Sequence, residues 1–370
     1  MWRKATAGRL RAWGFNTAGP WSDVKLAGEE NGGRRMLWTQ DLNFGSTFAE
    51  QGGDGWMTWV RGIPPDVFDP GFEAHCRERA KERCAPHRDD PQLLGYFLDN
   101  ELRWGPDWRS NEELLMTYLN FAETVPGRAA AFAFLKNRHG TIAKLNAGWG
   151  TAFPSWEAMT RTAKFTQPFH RTRKDQGSDA ARVAAGEGIL KDCDDCLRQC
   201  AERFFRISAE AIKAHDPNHL NLGARFPFMP GRAVVEEAVK RVNVLSIGGY
   251  GEDPMPRLRE LDGFDVPILI GEFSFRAKDS GLPNTQGAGP LLATQTDRAN
   301  AYKRYVPAAL ADPRVVGIHW YCWADEPREG RADGENSNFW LVNIHDEPYE
   351  VLVKKMTEVN GKIQAVRTGR

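Results

Sequence analysis

Short apolar runs that stop abruptly at polar residues recur along this 370-residue chain. The clearest is Leu93-Leu94-Gly95-Tyr96-Phe97-Leu98, closed by Asp99-Asn100-Glu101. A run this short, preceded by the breakers Pro86 to Pro91, reads as a buried strand with its polar tip at the C-terminal end. Val266-Pro267-Ile268-Leu269-Ile270-Gly271-Glu272-Phe273 has the same form and also carries a glutamate at its end. Further strands are expected at Phe15–Gly19, Arg35–Leu42, Leu220–Phe226, Val242–Ile247 (running into Gly248-Gly249-Tyr250) and Val315–Tyr321.

Helical periodicity fills the intervals. Residues 3–13 form a helix stopped by Gly14, and Asp69-Pro70 opens another that runs to about Cys84. Helices are also expected from Asn111 to about Glu123, over Phe132–Leu145, 191–214, 231–240, 294–311, and from Tyr349 to about Val366. Gly45 to Gly55 reads as a Gly-rich loop, Ser155-Trp156-Glu157 as a short turn, and 161–190 as a polar, weakly patterned stretch. Strands alternating with helices at this spacing imply an α/β fold with a parallel sheet, and this many units imply a (β/α)8 TIM barrel. One domain over 1–370 is expected, with a long βα insertion at about 126–190 over the barrel mouth. No repeat or dividing linker is visible. The first element is a helix, whereas an eight-stranded barrel needs a strand ahead of it to close the sheet. The expectation is an N-terminus truncated before that strand, or a barrel left open there with two unpaired edges.

Charge and composition narrow the chemistry. The 49 basic and 49 acidic residues balance, so no basic face is implied and nucleic acid is not an expected partner. No apolar run approaches the roughly 18 residues of a membrane span. Met1-Trp2-Arg3-Lys4 leads into an amphipathic stretch without the apolar core of a signal peptide. At face value this means cytoplasmic, and secreted or periplasmic if the start is truncated. The 13 Trp residues suit either flat sugar-binding faces or a large core. Cys193, Cys196 and Cys200 fall on one helix face, as buried thiols or as a zinc or redox site. His345-Asp346-Glu347 reads as a surface turn, because consecutive residues cannot all face one ion. No cofactor and no catalytic metal are expected.

In such a barrel the working groups stand at the C-terminal strand ends. Those ends supply Asn16 and Trp21, Asp41, Asn100 and Glu101, Arg225, Tyr250, Glu272, and Trp320 to Trp323. One glutamate at a strand tip is ordinarily its first solvated residue, or half of a structural ion pair. Two of them on a rim with Asn, Arg, Tyr and Trp match what a retaining glycosidase needs, one carboxylate to attack the anomeric carbon and one acid to protonate the leaving oxygen. Glu101 and Glu272 are the candidate pair, with Arg225 and Tyr250 placed to hold one carboxylate ionised. His319 reads as an outward-packed neighbour of Trp320.

Asn-Glu ending the fourth strand and Glu ending the seventh resemble the retaining glycosidases of clan A. That resemblance implies Glu101 as acid/base, Glu272 as nucleophile, Asn100 on the sugar 2-hydroxyl, Tyr250 on the nucleophile, and Trp320, with Trp323 close behind, as a sugar platform. Trp13-Gly14-Phe15-Asn16-Thr17, Gly95 to Leu102, Gly271-Glu272-Phe273, Val316 to Trp320 and Gly330 to Asn336 are similar to the agarases of glycoside hydrolase family 50. Gly140 to Thr151 is similar to the β-galactosidases of family 42. The resemblance implies hydrolysis of a β-linked, galactose-containing poly- or oligosaccharide by double displacement. A β-galactosidase or other β-glycanase of the clan is the alternative within that class. A non-catalytic glycan-binding or truncated, inactive barrel is the alternative outside it. Where many clan members carry Arg after strand two, this chain has Ala18-Gly19-Pro20-Trp21.

Overall fold

The apolar runs pair side by side as parallel strands. In the computed structural model, which describes residues 2–28, 36–51, 53–167 and 187–363, β1 (Thr17–Ala18), β2 (Leu37–Asp41), β3 (Leu93–Phe97) and β4 (Leu220–Asn221) form one sheet in that order. β5 (Leu245–Gly248), β6 (Ile268–Phe273) and, after the short pair β7 (Arg276–Ala277) and β8 (Leu291–Leu292), β9 (Val315–Trp320) form a second, ordered β5-β6-β9. All these pairings are parallel. The two sheets join between β4 and β5: Phe226 bridges Ile247, and the amides of Asn243 and Val244 reach the Asn221 carbonyl at 2.9 and 3.1 Å. The fold is therefore α/β with helices crossing between parallel strands, as expected.

Two apolar layers follow from strand alternation. One side of the sheets packs on the helices in a large core, where Trp104 stacks on Phe205 with ring centroids 5.6 Å apart. On the other side Phe97, Leu222, Val244 and Leu269 form a smaller cluster. Phe97 of β3 also meets His319 of β9 edge-on at 6.4 Å, so the two sheets curve toward each other. Close approach between β3 and β4 requires Gly95, since a Cβ there would lie 2.2 Å from the Leu220 carbonyl oxygen.

Helix signals in the sequence act as their chemistry dictates. Asp69 caps Pro70–Arg83 by accepting from the Gly71 amide at 2.7 Å, and Thr294 and Asp297 close a capping box on Gln295–Ala311. The helix Glu187–His215 buries Cys193, Cys196 and Cys200 against its neighbours, and among the described residues no cluster of His, Cys, Asp and Glu suited to a metal ion occurs. No helix among the described residues is long and apolar enough to cross a membrane.

Four local expectations are corrected. The first part of the Gly45–Gly55 region is helical rather than loop, in the helix Phe44–Ala49, and a second helix, Trp56–Arg61, begins directly after the region. The first is anchored by the buried Asp99 carboxylate, which accepts the amides of Gly45 and Ser46, and this tertiary contact overrides weak local propensity. The helix expected from Asn111 forms only over Leu114–Leu119. The one expected over Phe132–Leu145 is two, Pro126–His139 and Ile142–Trp149, parted at Gly140 and restarted by the Thr141 cap. Ser155 likewise caps a short helix, Trp156–Thr160, rather than lying in a turn. The expected insertion at 126–190 is helical through Thr160, and its 168–186 portion lies outside the described residues.

Candidate active site

Glu272 lies in β6 itself and points to the C-terminal rim. The Tyr250 hydroxyl, just past β5, donates to its Oε1 at 2.7 Å, and Arg225, beyond β4, donates from Nη2 to Oε2 at 2.6 Å. Arg225 is only 4% exposed and also donates from Nε to Asn100 Oδ1 at 3.0 Å. The bond from the buried guanidinium to this carboxylate is charge-assisted, the strong class of hydrogen bond. Burial and the Glu272 charge push the Tyr250 phenol well up, so it remains a proton donor to that carboxylate.

Glu101 is built differently. It stands four residues past the end of β3 with φ at 51°, and Arg225 has φ at 41°. Both side chains reach the pocket from left-handed backbone that non-glycine residues rarely adopt, a feature that gathers at functional sites. Arg109 secures the turn by donating to the Glu101 carbonyl at 2.8 Å. Among the described residues the carboxylate itself receives one side-chain hydrogen bond, from the Trp59 indole N–H to Oε2 at 2.8 Å. Burial first, and then the negative charge of Glu272, raise its pKa to about 7. One carboxylate is thus surrounded by donors and the other is pushed toward its protonated form, the division of labour that acid and nucleophile require.

A second buried pair lies beneath. Burial raises Asp41, at the end of β2, to about 6 against the opposing charges of Arg225, Arg79 and Arg83. Burial and the Asp41 charge raise Asp99 to about 7. His319 faces inward near Arg225 and is pushed down to about 3 by burial and that charge, so it is neutral. This corrects the outward packing expected for it.

Of the expected site residues, the structure brings together Asn100, Glu101, Arg225, Tyr250 and Glu272. It does not bring Asn16, Trp320 or Trp323. Asn16 is exposed and precedes β1, where its Oδ1 accepts from the Thr17 hydroxyl. Trp320 packs among Phe273, Phe275 and Tyr302, on the helix-facing side that strand alternation assigns to it. Trp323 stacks on Trp13 with centroids 5.6 Å apart. The aromatic groups that do frame the pocket are Trp59, Tyr321 and the half-exposed Trp21, whose ring lies 4.5 Å from the Arg225 guanidinium carbon. Trp21 was legible as a strand-end residue. Tyr321 was legible from period two, one residue past the outward Trp320. Trp59 carried no local signal.

No family model matches the chain. Beta-agarase B and Beta-agarase A of Vibrio sp. (strain JT0107) are each 32% identical to it, over 99% and 97% of its length. The chain spans only 37% and 36% of those relatives. Among solved structures, an exo-beta-agarase superposes with a TM-score of 0.80 at 31% identity, covering 100% of this chain and 47% of the other. The agarase AgWH50C gives 0.78 at 29%, covering 99% and 49%. A beta-galactosidase from the psychrophilic Marinomonas ef1 shares the fold alone, with a TM-score of 0.54 at 12% identity, covering 99% and 58%. In sequence and in fold, over nearly its whole length, this chain resembles the agarases of glycoside hydrolase family 50.

Proposed function

We propose that this chain is a retaining β-glycoside hydrolase acting on a neutral β-linked galactan, agarose above all, through a single (β/α) barrel domain and without cofactor or metal. The observation that carries the reading is the asymmetry of the two carboxylates: Glu272 held by Arg225 and Tyr250, Glu101 raised to about 7 by burial and by Glu272. Resemblance to the agarases supports the substrate class, and the curved array of parallel strands supports the barrel.

In the first step the Glu101 carboxyl protonates the leaving glycosidic oxygen while a Glu272 oxygen bonds to the anomeric carbon from the opposite face. Glu101 is left as a carboxylate. In the second step it takes a proton from water, which displaces Glu272 and restores both groups. Asn100, fixed by the Arg225 Nε–H on its Oδ1, has its amide N–H group left to donate to a sugar hydroxyl. Tyr250 and Arg225 hold Glu272 in line for attack and, as the covalent bond forms, keep it a good leaving group for the second step.

The test is turnover of agarose, β-galactosides and β-glucans by reducing-sugar release. Glu272→Ala is expected to abolish nearly all turnover of the galactan while the melting transition stays cooperative. Full activity in that variant, or binding without hydrolysis by the folded wild type, would overturn the reading.

A further inference from the structure

We infer that Glu335, together with the open face of Trp21, forms a sugar subsite beside the catalytic pair that accepts a neutral pyranose through its hydroxyls and rejects an anionic one. The inference rests on the glycosidase reading above and deepens it to a selection by charge.

The starting observation is an unbroken run of contacts from one catalytic carboxylate to the other by way of the pocket mouth. Arg225, which grips Glu272, lies against Trp21, and Trp21 meets Tyr321 edge-on at 6.1 Å. The Tyr321 hydroxyl accepts from Arg331 Nη1 at 2.8 Å. The Arg331 guanidinium carbon sits 5.5 Å from the Trp56 ring, Trp56 stacks on Trp59 at 5.1 Å, and Trp59 donates to Glu101. The segments after β1, β2 and β9 therefore meet around one opening.

Within that wall the charges do not balance. Arg331 faces three carboxylates: Asp333 at 2.5 Å, Glu335 at 2.8 Å and Glu326 at 3.5 Å. Asp333 is fully used, since its Oδ1 also accepts the Glu335 amide at 3.1 Å. Glu335 gives only Oε2 to Arg331, and among the described residues no donor reaches its Oε1. Burial, then the Asp333 charge and then that of Glu272, push the Glu335 carboxyl up to about 7 against the pull of Arg331.

Two further polar atoms are buried without a partner among the described residues: Glu326 Oε2, on a residue 8% exposed, and Arg225 Nη1, on one 4% exposed. Glu335 Oε1 and the half-exposed Trp21 indole are thus open to a ligand, with the unpartnered Arg225 Nη1 and Glu326 Oε2 enclosed behind them. A sugar hydroxyl both donates and accepts, and a pyranose ring has an apolar face to lay on indole. A sulfate ester or a uronate cannot donate to Glu335. It would also bring its charge toward the Asp333 carboxylate, whose pKa Arg331 lowers, while Arg331 itself is already engaged.

The experiment compares kcat/KM for a neutral agarose oligosaccharide and its 6-O-sulfated counterpart in wild type, Glu335→Gln and Trp21→Ala. Charged hydrogen bonds of this kind set the scale at about 10- to 100-fold. Glu335→Gln is expected to lose that much on the neutral sugar and to narrow the neutral-over-sulfated preference by at least about 10-fold. Trp21→Ala, an exposed position that folding tolerates, is expected to lose activity on both sugars and keep the preference. An unchanged preference in Glu335→Gln overturns the inference and leaves the glycosidase reading standing, as does unchanged activity on the neutral sugar in Trp21→Ala. Absence of turnover by the wild type overturns the glycosidase reading instead. In that event calorimetric titration of the wild type with the same two oligosaccharides decides the subsite: tighter binding of the neutral one upholds it, and equal or reversed affinity overturns it.

Discussion

Glu101, past the end of β3, and Glu272, in β6, stand on one curved array with β4 and β5 between them, yet their surroundings are opposites. Glu272 stays within its strand and receives a guanidinium and a phenol. Glu101 leaves its strand, turns through left-handed backbone, and receives one indole N–H. Identical side chains acquire different chemistry because one is given donors and the other is given desolvation. The donors to Glu272 are in place before the reaction begins. Charge on Glu101 is disfavoured until the leaving group takes its proton.

Erasing one side of this contrast should have the largest effect. Arg225→Met removes the cation from Glu272 and leaves a buried carboxylate short of its partner. Losing a charge-assisted hydrogen bond of roughly 1.5–3 kcal/mol corresponds to a fall of about 10- to 100-fold in kcat, and loss of Asn100 alignment adds to it. Tyr250→Phe, which keeps the ring and removes one hydrogen bond, should sit at or below the low end of that range. Steady-state kinetics on the galactan check both, and a Tyr250→Phe loss exceeding that of Arg225→Met would contradict the ranking.

The other side of the contrast is sharpened by pH. Glu101 must be protonated to act as acid, so the rate should fall as pH rises through about 7. The Trp59 N–H stabilises the carboxylate form and so lowers the Glu101 pKa. Trp59→Phe should therefore move the alkaline limb of the kcat/KM profile upward, with a modest change in the maximum. A limb that stays put or moves down would detach Trp59 from Glu101.

The smallest expected effect separates the catalytic from the merely aromatic. Trp320 packs against Phe273 and Tyr302, away from the pocket. Trp320→Phe should lower the melting temperature while kcat/KM of the folded enzyme changes by less than about twofold, an effect on packing rather than on the site.

Much of this was legible in the sequence because the informative residues sit where chain geometry is simplest. Asn100, Glu101 and Glu272 close short apolar runs, and Arg225 and Tyr250 follow two others, so a parallel array alone brings them to one rim. The misreadings lie where that simplicity ends. Assigning Trp320 to the pocket ignored the two-residue alternation that turns His319 inward, Trp320 outward and Tyr321 inward again. Asn16 fell on the wrong end because β1 is only Thr17–Ala18. Trp59 lies on a helix just past the expected Gly45–Gly55 loop, and its reach to Glu101 is a contact between distant residues with no local signature. Glu335 and Arg331 were visible as a charged motif, but their relation to Glu272 is purely tertiary.

The most direct measurement is the stereochemistry of azide rescue. With an activated β-glycoside of the galactan series, azide should restore turnover to Glu101→Ala and give the β-glycosyl azide, because it enters on the acid/base side after Glu272 has formed its covalent intermediate. Glu272→Ala with azide should give the α-glycosyl azide, the small anion occupying the space of the missing nucleophile. The reverse assignment, β from Glu272→Ala and α from Glu101→Ala, would contradict the division of roles between the two carboxylates.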